Sequence, residues 1–313
     1  MINMKENVLV TRILSKKYGD KYVVDKVNLT VNKGDIYGLI GKNGAGKTTI
    51  IRMALSLANI TDGEVELFGK TSEKDRIKVH SKIGCLVESP CFYPYLSAKE
   101  NLEYYRIQRG IVGKECVDEA LKLVGLEDVG KKKFKGFSLG MKQRLGIALA
   151  IMGNPDLLIL DEPINGLDPM GIKEIRQLLI NLNRVKNITI LISSHILGEL
   201  SQLATCYGFI NDGKLVEEIS AEKLAEKCKH CLAIKVDNAE KAATILEEKL
   251  NCNKYEVLNN NLINVYEYLE EPFIVNKELL NGGVMVSSLD KVGSSLEDYF
   301  INLIGGEKNG KVN

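Results

Sequence analysis

The sequence predicts an α/β protein with a second, smaller α+β domain at its C-terminal end. Three observations predict it. Short aliphatic runs alternate with helix-period segments over the first two thirds of the chain, and a Gly-rich run, Gly41 to Thr48, sits between a strand and a helix. Near residue 220 the pattern changes to strand, helix, strand, strand, helix, strand. A length of 313 residues suits two ordinary domains. With 42 basic and 41 acidic side chains the net charge is +1, which excludes a protein held to polyanions by bulk charge but not a local phosphate site. At 45% hydrophobic and 27% charged, the composition is that of a folded globular chain. The longest apolar stretch, Leu145 to Gly153, falls far short of the roughly 20 residues needed to span a bilayer. The first residues lack the long apolar core of a secretory signal, and 7 scattered Cys fit a reduced cytosolic chain better than a disulfide framework.

The elements follow in order. Ile36–Ile40, Val65–Phe68, Ile83–Val87, Leu157–Leu160 and Thr189–Ile192 are short and apolar on both faces, as buried parallel strands are. Lys173–Leu182 has helical period, and Asn211-Asp212-Gly213 is a tight turn between two strands. Domain one is residues 1–220. The polar, Lys/Glu-rich stretch Ser220–Lys229 reads as a linker helix that opens domain two, residues 221–313. Beyond it, Cys231–Val236 is a strand, Ala239–Leu250 a helix and Lys254–Leu258 a strand. A turn at Asn259–Asn261 leads to a strand at Leu262–Leu269, a helix at Pro272–Leu280 and a strand at Val284–Ser288. That order is βαββαβ, the ferredoxin-like arrangement, and a last helix, Ser295–Ile304, closes the chain.

Gly41-Lys42-Asn43-Gly44-Ala45-Gly46-Lys47-Thr48 fits the phosphate-loop pattern G-x-x-x-x-G-K-[ST], with the strand IYGLI before it and a helix after it. Glycines let backbone N–H groups turn inward and cradle phosphate oxygens at a helix N-terminus, which Thr49 extends. Lys47 then reaches the β- and γ-phosphates, and the Thr48 hydroxyl is placed to ligate Mg²⁺. Asp156 to Pro163 supplies a second piece: four aliphatic residues run into Asp161-Glu162. Alone, such a run is as often a strand ending at the surface. Downstream of a phosphate loop it places Asp161 beside Mg²⁺ and aims Glu162 at an attacking water, so nucleotide hydrolysis is expected rather than binding alone.

Between these motifs lies Phe137-Ser138-Leu139-Gly140-Met141-Lys142-Gln143-Arg144, followed by a helical run. It resembles the signature loop of ATP-binding cassette (ABC) ATPases. Gly166-Leu167-Asp168-Pro169 resembles their D-loop, and Ser193-Ser194-His195 their switch histidine, in the family's order and spacing. Tyr18, 23 residues ahead of Gly41, sits where the family stacks an aromatic on adenine, and Val23 where it flanks the ring. The resemblance covers residues 1 to about 220. It implies a P-loop cassette with a mixed sheet core, an N-terminal antiparallel β part and a helical subdomain over about 89–150. It also implies a head-to-tail homodimer or pseudo-homodimer that sandwiches two ATP. Ser138, Leu139, Gly140, Met141 and Asp168 would then act on the partner's nucleotide, while His195 contacts the γ-phosphate and orients Glu162.

Two departures matter. Leu139 and Met141 replace a Gly and a Gln of the usual signature, and Leu139 restricts φ and adds bulk near an incoming phosphate. In Ile83-Gly84-Cys85-Leu86-Val87-Glu88-Ser89-Pro90 the family's usual Gln, a Mg²⁺ ligand, is Glu88, a harder and charged oxygen ligand. This combination, with FYPYLSAKENL after it, resembles the bacitracin- and lantibiotic-resistance branch of bacterial ABC exporters. Phe92, Tyr93, Tyr95, Tyr104 and Tyr105 fall where the family meets its membrane subunit, and equally where a helical subdomain needs a core. Lys131-Lys132-Lys133 reads as a solvated loop. Cys228-Lys229-His230-Cys231 with Cys252 falls short as a closed zinc site, because helix-to-strand passage points the side chains apart.

The expected function is the ATP-hydrolysing subunit of a bacterial exporter on the inner face of the cell membrane. It would drive a separately encoded integral membrane permease, with a membrane-active peptide antibiotic as substrate by resemblance and no nucleic acid partner. Alternatives are an exporter subunit for a drug, lipid or ion, a soluble non-transport ABC ATPase, and a nucleotide-binding regulator without turnover. The 90 residues from Thr48 to Ser138 hold no sustained heptads, which excludes the coiled-coil DNA-repair members. Glu162 argues against the regulator.

Overall fold

The computed structural model describes residues 6–88, 91–228, 230–293 and 296–305. The chain forms two compact units, one running to Ala221 and the other Glu222–Gly305. In the first, β1 (Asn7–Tyr18) and β2 (Lys21–Asn32) form a hairpin, followed by β3 (Ile36–Ile40), α1 (Lys47–Ala54), β4 (Asp62–Leu67), α2 (Glu73–Val79) and β5 (Ile83–Leu86). Helices α3 (Ala98–Gln108), α4 (Glu115–Leu123) and α5 (Leu139–Ile151) come next. Then follow β6 (Leu157–Leu160), α6 (Pro169–Lys186), β7 (Thr189–Ser194), α7 (Leu197–Leu200), β8 (Cys206–Asn211) and β9 (Lys214–Ser220).

The central sheet has the order β5-β6-β7-β3-β8-β9. Its first five strands are parallel, and β9 returns antiparallel to β8. The reversal needs two residues with positive φ, and Asp212 and Gly213 supply them at 45° and 80°. Strands β3, β6 and β7 are buried along their whole length, as their unbroken aliphatic runs require. β5 is the sheet edge, one residue shorter than the expected Ile83–Val87, with Ile83 and Cys85 not buried.

One expected strand belongs elsewhere. Val65–Phe68 is not a parallel strand of the central sheet: β4 pairs antiparallel with β1 in a separate sheet of order β2-β1-β4, and Phe68 lies outside it. The reason is alternation. Val65 and Leu67 face the core, whereas Glu64 and Glu66 face outward and hold Arg12 at 2.9 and 2.7 Å, the pattern of a half-buried strand.

The expected helix Lys173–Leu182 lies inside the longer α6. Asp168 caps α6 by accepting from Gly171 N at 2.7 Å, Pro169 takes its first position, and Asn187 ends it in the left-handed region. In the helical subdomain, Ser97 and Glu100 form a reciprocal capping box at the start of α3. Phe92 packs on Tyr105 and Phe134 with ring centroids 5.7 and 5.1 Å apart.

The second unit, entered through α8 (Ala221–Lys227), contains β10 (Cys231–Val236), α9 (Ala239–Leu250), β11 (Tyr255–Leu258) and β12 (Leu262–Val265). It continues with α10 (Pro272–Asn281), β13 (Val286–Val292) and α11 (Leu296–Gly305). Its antiparallel sheet has the order β11-β12-β10-β13, the split βαβ arrangement. Leu232, Ile234, Leu246, Ile263, Val275 and Leu279 fill the space between sheet and helices.

Several boundaries differ from expectation. The strand expected over Leu262–Leu269 stops at Val265; Tyr268 has φ 59°, and its hydroxyl donates to the Leu250 carbonyl at 2.6 Å. The strand expected over Val284–Ser288 starts at Val286 and runs on to Val292, with Val284 buried in the core. β11 starts one residue later than expected, at Tyr255. Ser295, the expected start of the last helix, and Lys229 of the linker lie outside the described residues.

Candidate nucleotide site

The phosphate loop joins β3 to α1. Gly46 has φ 107°, and a Cβ there would sit 2.8 Å from the Val23 carbonyl, so only glycine fits. Gly41 is equally confined: a Cβ would meet Ile210 at 2.5 Å. The Ala45 carbonyl accepts from Gly213 N at 3.0 Å, so the turn between β8 and β9 braces the loop from behind. Neither Ile210 nor Gly213 has a local signal for this role; strand order brings them there.

Around the loop, side chains from four elements converge. Lys47 is 5% exposed; its Nζ donates to the Gly41 carbonyl at 2.7 Å and pairs with Glu162 Oε1 at 3.0 Å. Thr48 Oγ1 donates to Asp161 Oδ2 at 2.7 Å. The other Asp161 oxygen accepts from Ser193 Oγ at 2.6 Å, and Ser193 Oγ in turn accepts from Glu162 N at 2.9 Å. Glu162 has φ 50°, a turned conformation just past β6, and its Oε2 lies 2.8 Å from His195 Nδ1. The structure therefore brings Lys47, Thr48, Asp161, Glu162 and His195 together. Ser193 joins the cluster too, a residue not among the expected site residues. Two adjacent Ser at the end of a fully buried strand were its signal, because buried hydroxyls need partners.

Thr48 and Asp161 offer a hydroxyl and a carboxylate side by side, two hard oxygen donors that fit Mg²⁺. Among the described residues no group of three or more His, Cys, Asp or Glu is arranged for a metal. Mg²⁺ itself takes one or two protein ligands and leaves its other positions to water and phosphate. Glu88, just past β5, has φ 64° and is largely exposed; it pairs with the Arg52 guanidinium of α1, not with Thr48 or Asp161. Its neighbours Ser89 and Pro90 lie outside the described residues.

Tyr18 is exposed at the β1–β2 hairpin under the Lys16 ammonium, 4.9 Å from the ring centroid, and Val23 touches the loop through its carbonyl. The signature and D-loop residues line a different hollow, of about 350 Å³. There Ser138 caps α5 by accepting from Met141 N at 3.3 Å, beside Leu139, Gly140 and Asp168. Leu139 is 47% exposed, and its Cδ2 would lie 3.3 Å from a Cβ on Gly166.

Backbone N–H groups at a helix N-terminus, an ammonium, a hydroxyl beside a carboxylate, and a second carboxylate tied to an imidazole form a site for a polyphosphate and an activated water. Comparison with known proteins agrees. A family model described as ABC transporter matches residues 24–165. The "Bacitracin transport ATP-binding protein BcrA" of Bacillus licheniformis is 46% identical over 96% of this chain and 98% of its own length. The "Lantibiotic transport ATP-binding protein SrtF" of Streptococcus pyogenes is 42% identical over 66% of this chain and 87% of its own. Among solved structures, the dimeric ATP-binding cassette MJ0796 in a post-hydrolysis state bound to ADP and Pi matches with TM-score 0.61 and 27% identity, over 68% of this chain and 98% of that one. With the site's geometry, this similarity means that the chain belongs to the ABC transporter family, as an ATP-binding and ATP-hydrolysing subunit.

Proposed function

We propose that this subunit drives a separately encoded membrane permease that exports a bacitracin-type peptide antibiotic, working on the inner face of the cell membrane. The observation that carries the substrate class is similarity at 46% over 96% of the chain to a bacitracin transport subunit, against 66% coverage for the lantibiotic relative. Among the described residues no helix is long and apolar enough to cross a membrane, which supports a separate permease.

In this reading the loop amides of Gly41 to Thr48 and the Thr49 turn hold the β- and γ-phosphates, and Tyr18 with Val23 holds adenine. Lys47, shared between Gly41 and Glu162, is drawn to the phosphates, and that frees a Glu162 oxygen. Glu162 takes a proton from water as the water oxygen bonds to the γ-phosphorus and the bond to the bridging oxygen of the departing ADP breaks. His195 keeps Glu162 oriented. Thr48 and Asp161 would hold Mg²⁺, which would neutralise phosphate charge, and Glu88 would join them on leaving Arg52. Ser138, Leu139, Gly140, Met141 and Asp168 meet the nucleotide of a second copy in a head-to-tail dimer.

Glu162→Gln tests the chemistry. It is expected to keep ATP affinity, lower turnover by about 10²–10⁴-fold, and accumulate an ATP-bound dimer in size-exclusion chromatography. Hydrolysis near the parent rate contradicts the assignment. Co-expression with its membrane permease is expected to raise bacitracin resistance in a sensitive host, and unchanged resistance contradicts the substrate class.

A further inference from the structure

His195 is the middle residue of a turn. Ser194 Oγ accepts from Ile196 N at 3.0 Å and closes the turn around it. Ser194 is fully buried, and its carbonyl accepts from Gly41 N at 3.3 Å, so the turn grows from the strand end that also anchors the phosphate loop. A hydroxyl has one proton to give. Two acceptors compete for it: Glu199 Oε2 at 2.9 Å and the Ile196 carbonyl at 3.3 Å. Glu199 stands on α7, where Leu197 and Leu200 are buried, and the Leu200 side chain packs over Gly38 of β3, 3.1 Å from where a Cβ would be. The carboxylate is thus carried by a rigid base. Burial raises its pKa, and His195, Glu162 and Arg176 are the charges that face it.

We propose that Glu199 is a positioning residue for ATP hydrolysis: by taking the Ser194 proton it locks the 194–196 turn that holds the His195 imidazole against Glu162. The proposal rests on the catalytic reading of Glu162 and His195 above. With Glu199 as acceptor, the Ser194 lone pairs stay directed at Ile196 N. Without it, the hydroxyl swings to the Ile196 carbonyl, the turn loosens, and His195 samples positions from which it no longer fixes Glu162. Glu199 itself touches no substrate in this scheme, so nucleotide affinity is left alone.

The test uses the full-length protein and steady-state ATP hydrolysis. Glu199→Ala is expected to lower kcat about ten-fold with KM changed less than about two-fold. Glu199→Gln, whose amide oxygen still accepts from Ser194, is expected to recover most of the loss. In a His195→Ala background, adding Glu199→Ala is expected to cost little more, because the two act through one element. Parent kcat in Glu199→Ala, an equal loss in the His195→Ala background, or a Gln variant as poor as Ala overturns the proposal. If Glu199→Ala lowers the unfolding midpoint, the same comparisons made below both midpoints decide. Parent turnover in both Glu162→Gln and His195→Ala overturns instead the catalytic reading on which the proposal rests.

Discussion

Lys47 has more partners than one ammonium can keep once phosphate arrives. It holds two backbone carbonyls of its own loop, Gly41 and Lys42, and one oxygen of Glu162. Being 95% buried, it is a desolvated point charge, and a polyphosphate is a stronger partner for it than a carbonyl. Lys47→Ala removes that charge and leaves Glu162 without its cation. Nucleotide binding itself is expected to weaken by at least about ten-fold, read by titration calorimetry with a non-hydrolysable ATP analogue. Unchanged affinity removes Lys47 from the phosphate site. The Thr48 and Ser193 hydroxyls likewise hold the two oxygens of Asp161.

At the scale of elements, one partly buried carboxylate links the return strand β9, already paired with β8, to β3 and to β2 of the separate sheet. Glu218 accepts from the Tyr37 hydroxyl of β3 at 2.8 Å and from Thr30 N of β2 at 3.2 Å. Tyr37 is fully buried, and its ring has room only because Gly208 of β8 has no Cβ, which would meet the hydroxyl at 2.2 Å. Burial pushes the Glu218 carboxyl up against the two hydrogen bonds that pull it down. A carboxyl with a raised folded-state pKa contributes stability that is full below the ordinary carboxylate range and lost as pH rises through the folded value. Glu218→Gln stays neutral and still accepts from Tyr37. Its unfolding midpoint is therefore expected to exceed that of wild type near pH 7, with the gap closing towards pH 4. A variant less stable than wild type at pH 7 contradicts this account.

At the scale of the whole molecule, the two clusters that the proposed reading assigns to hydrolysis lie apart on one chain. Lys47, Asp161, Glu162 and His195 form one, while Ser138 and Asp168 line the other. A second copy facing head to tail would complete both at once, the arrangement proposed above. Glu88 belongs to the same scale. It stands at the exposed end of β5, paired with Arg52, where a Mg²⁺ site and a membrane partner would both be felt. In the assembled transporter, Glu88→Ala is expected to lose transport-linked resistance more than it loses basal hydrolysis of the isolated subunit. Glu88→Gln is expected to keep most of both, since an amide oxygen still ligates a hard cation. Equal resistance in wild type and both variants contradicts that role.

The sequence by itself determined whatever depends on neighbours along the chain. The phosphate loop is eight consecutive residues, Asp161 and Glu162 end one aliphatic strand, and Asp212-Gly213 specify their own turn through positive φ. Helix starts were less legible: Ser138 and Asp168 cap α5 and α6, yet helical period over Lys173–Leu182 gave no start for α6 at Pro169. Alternation of Glu64, Val65, Glu66 and Leu67 also carried the correct message about β4, although its apolar residues invited a buried parallel strand. Tertiary structure alone decided what depends on strand order. Placing β7 between β6 and β3 sets Ser193 against Asp161, His195 against Glu162 and Ser194 against Gly41. Placing β8 on the other side of β3 brings Ile210 and Gly213 behind the loop. Glu88 pairs with Arg52, and Lys47 with Glu162, across 36 and 115 positions of chain. No local propensity encodes such pairs; they exist because parallel strands joined by helices line up their C-terminal ends along one edge, where distant loops meet.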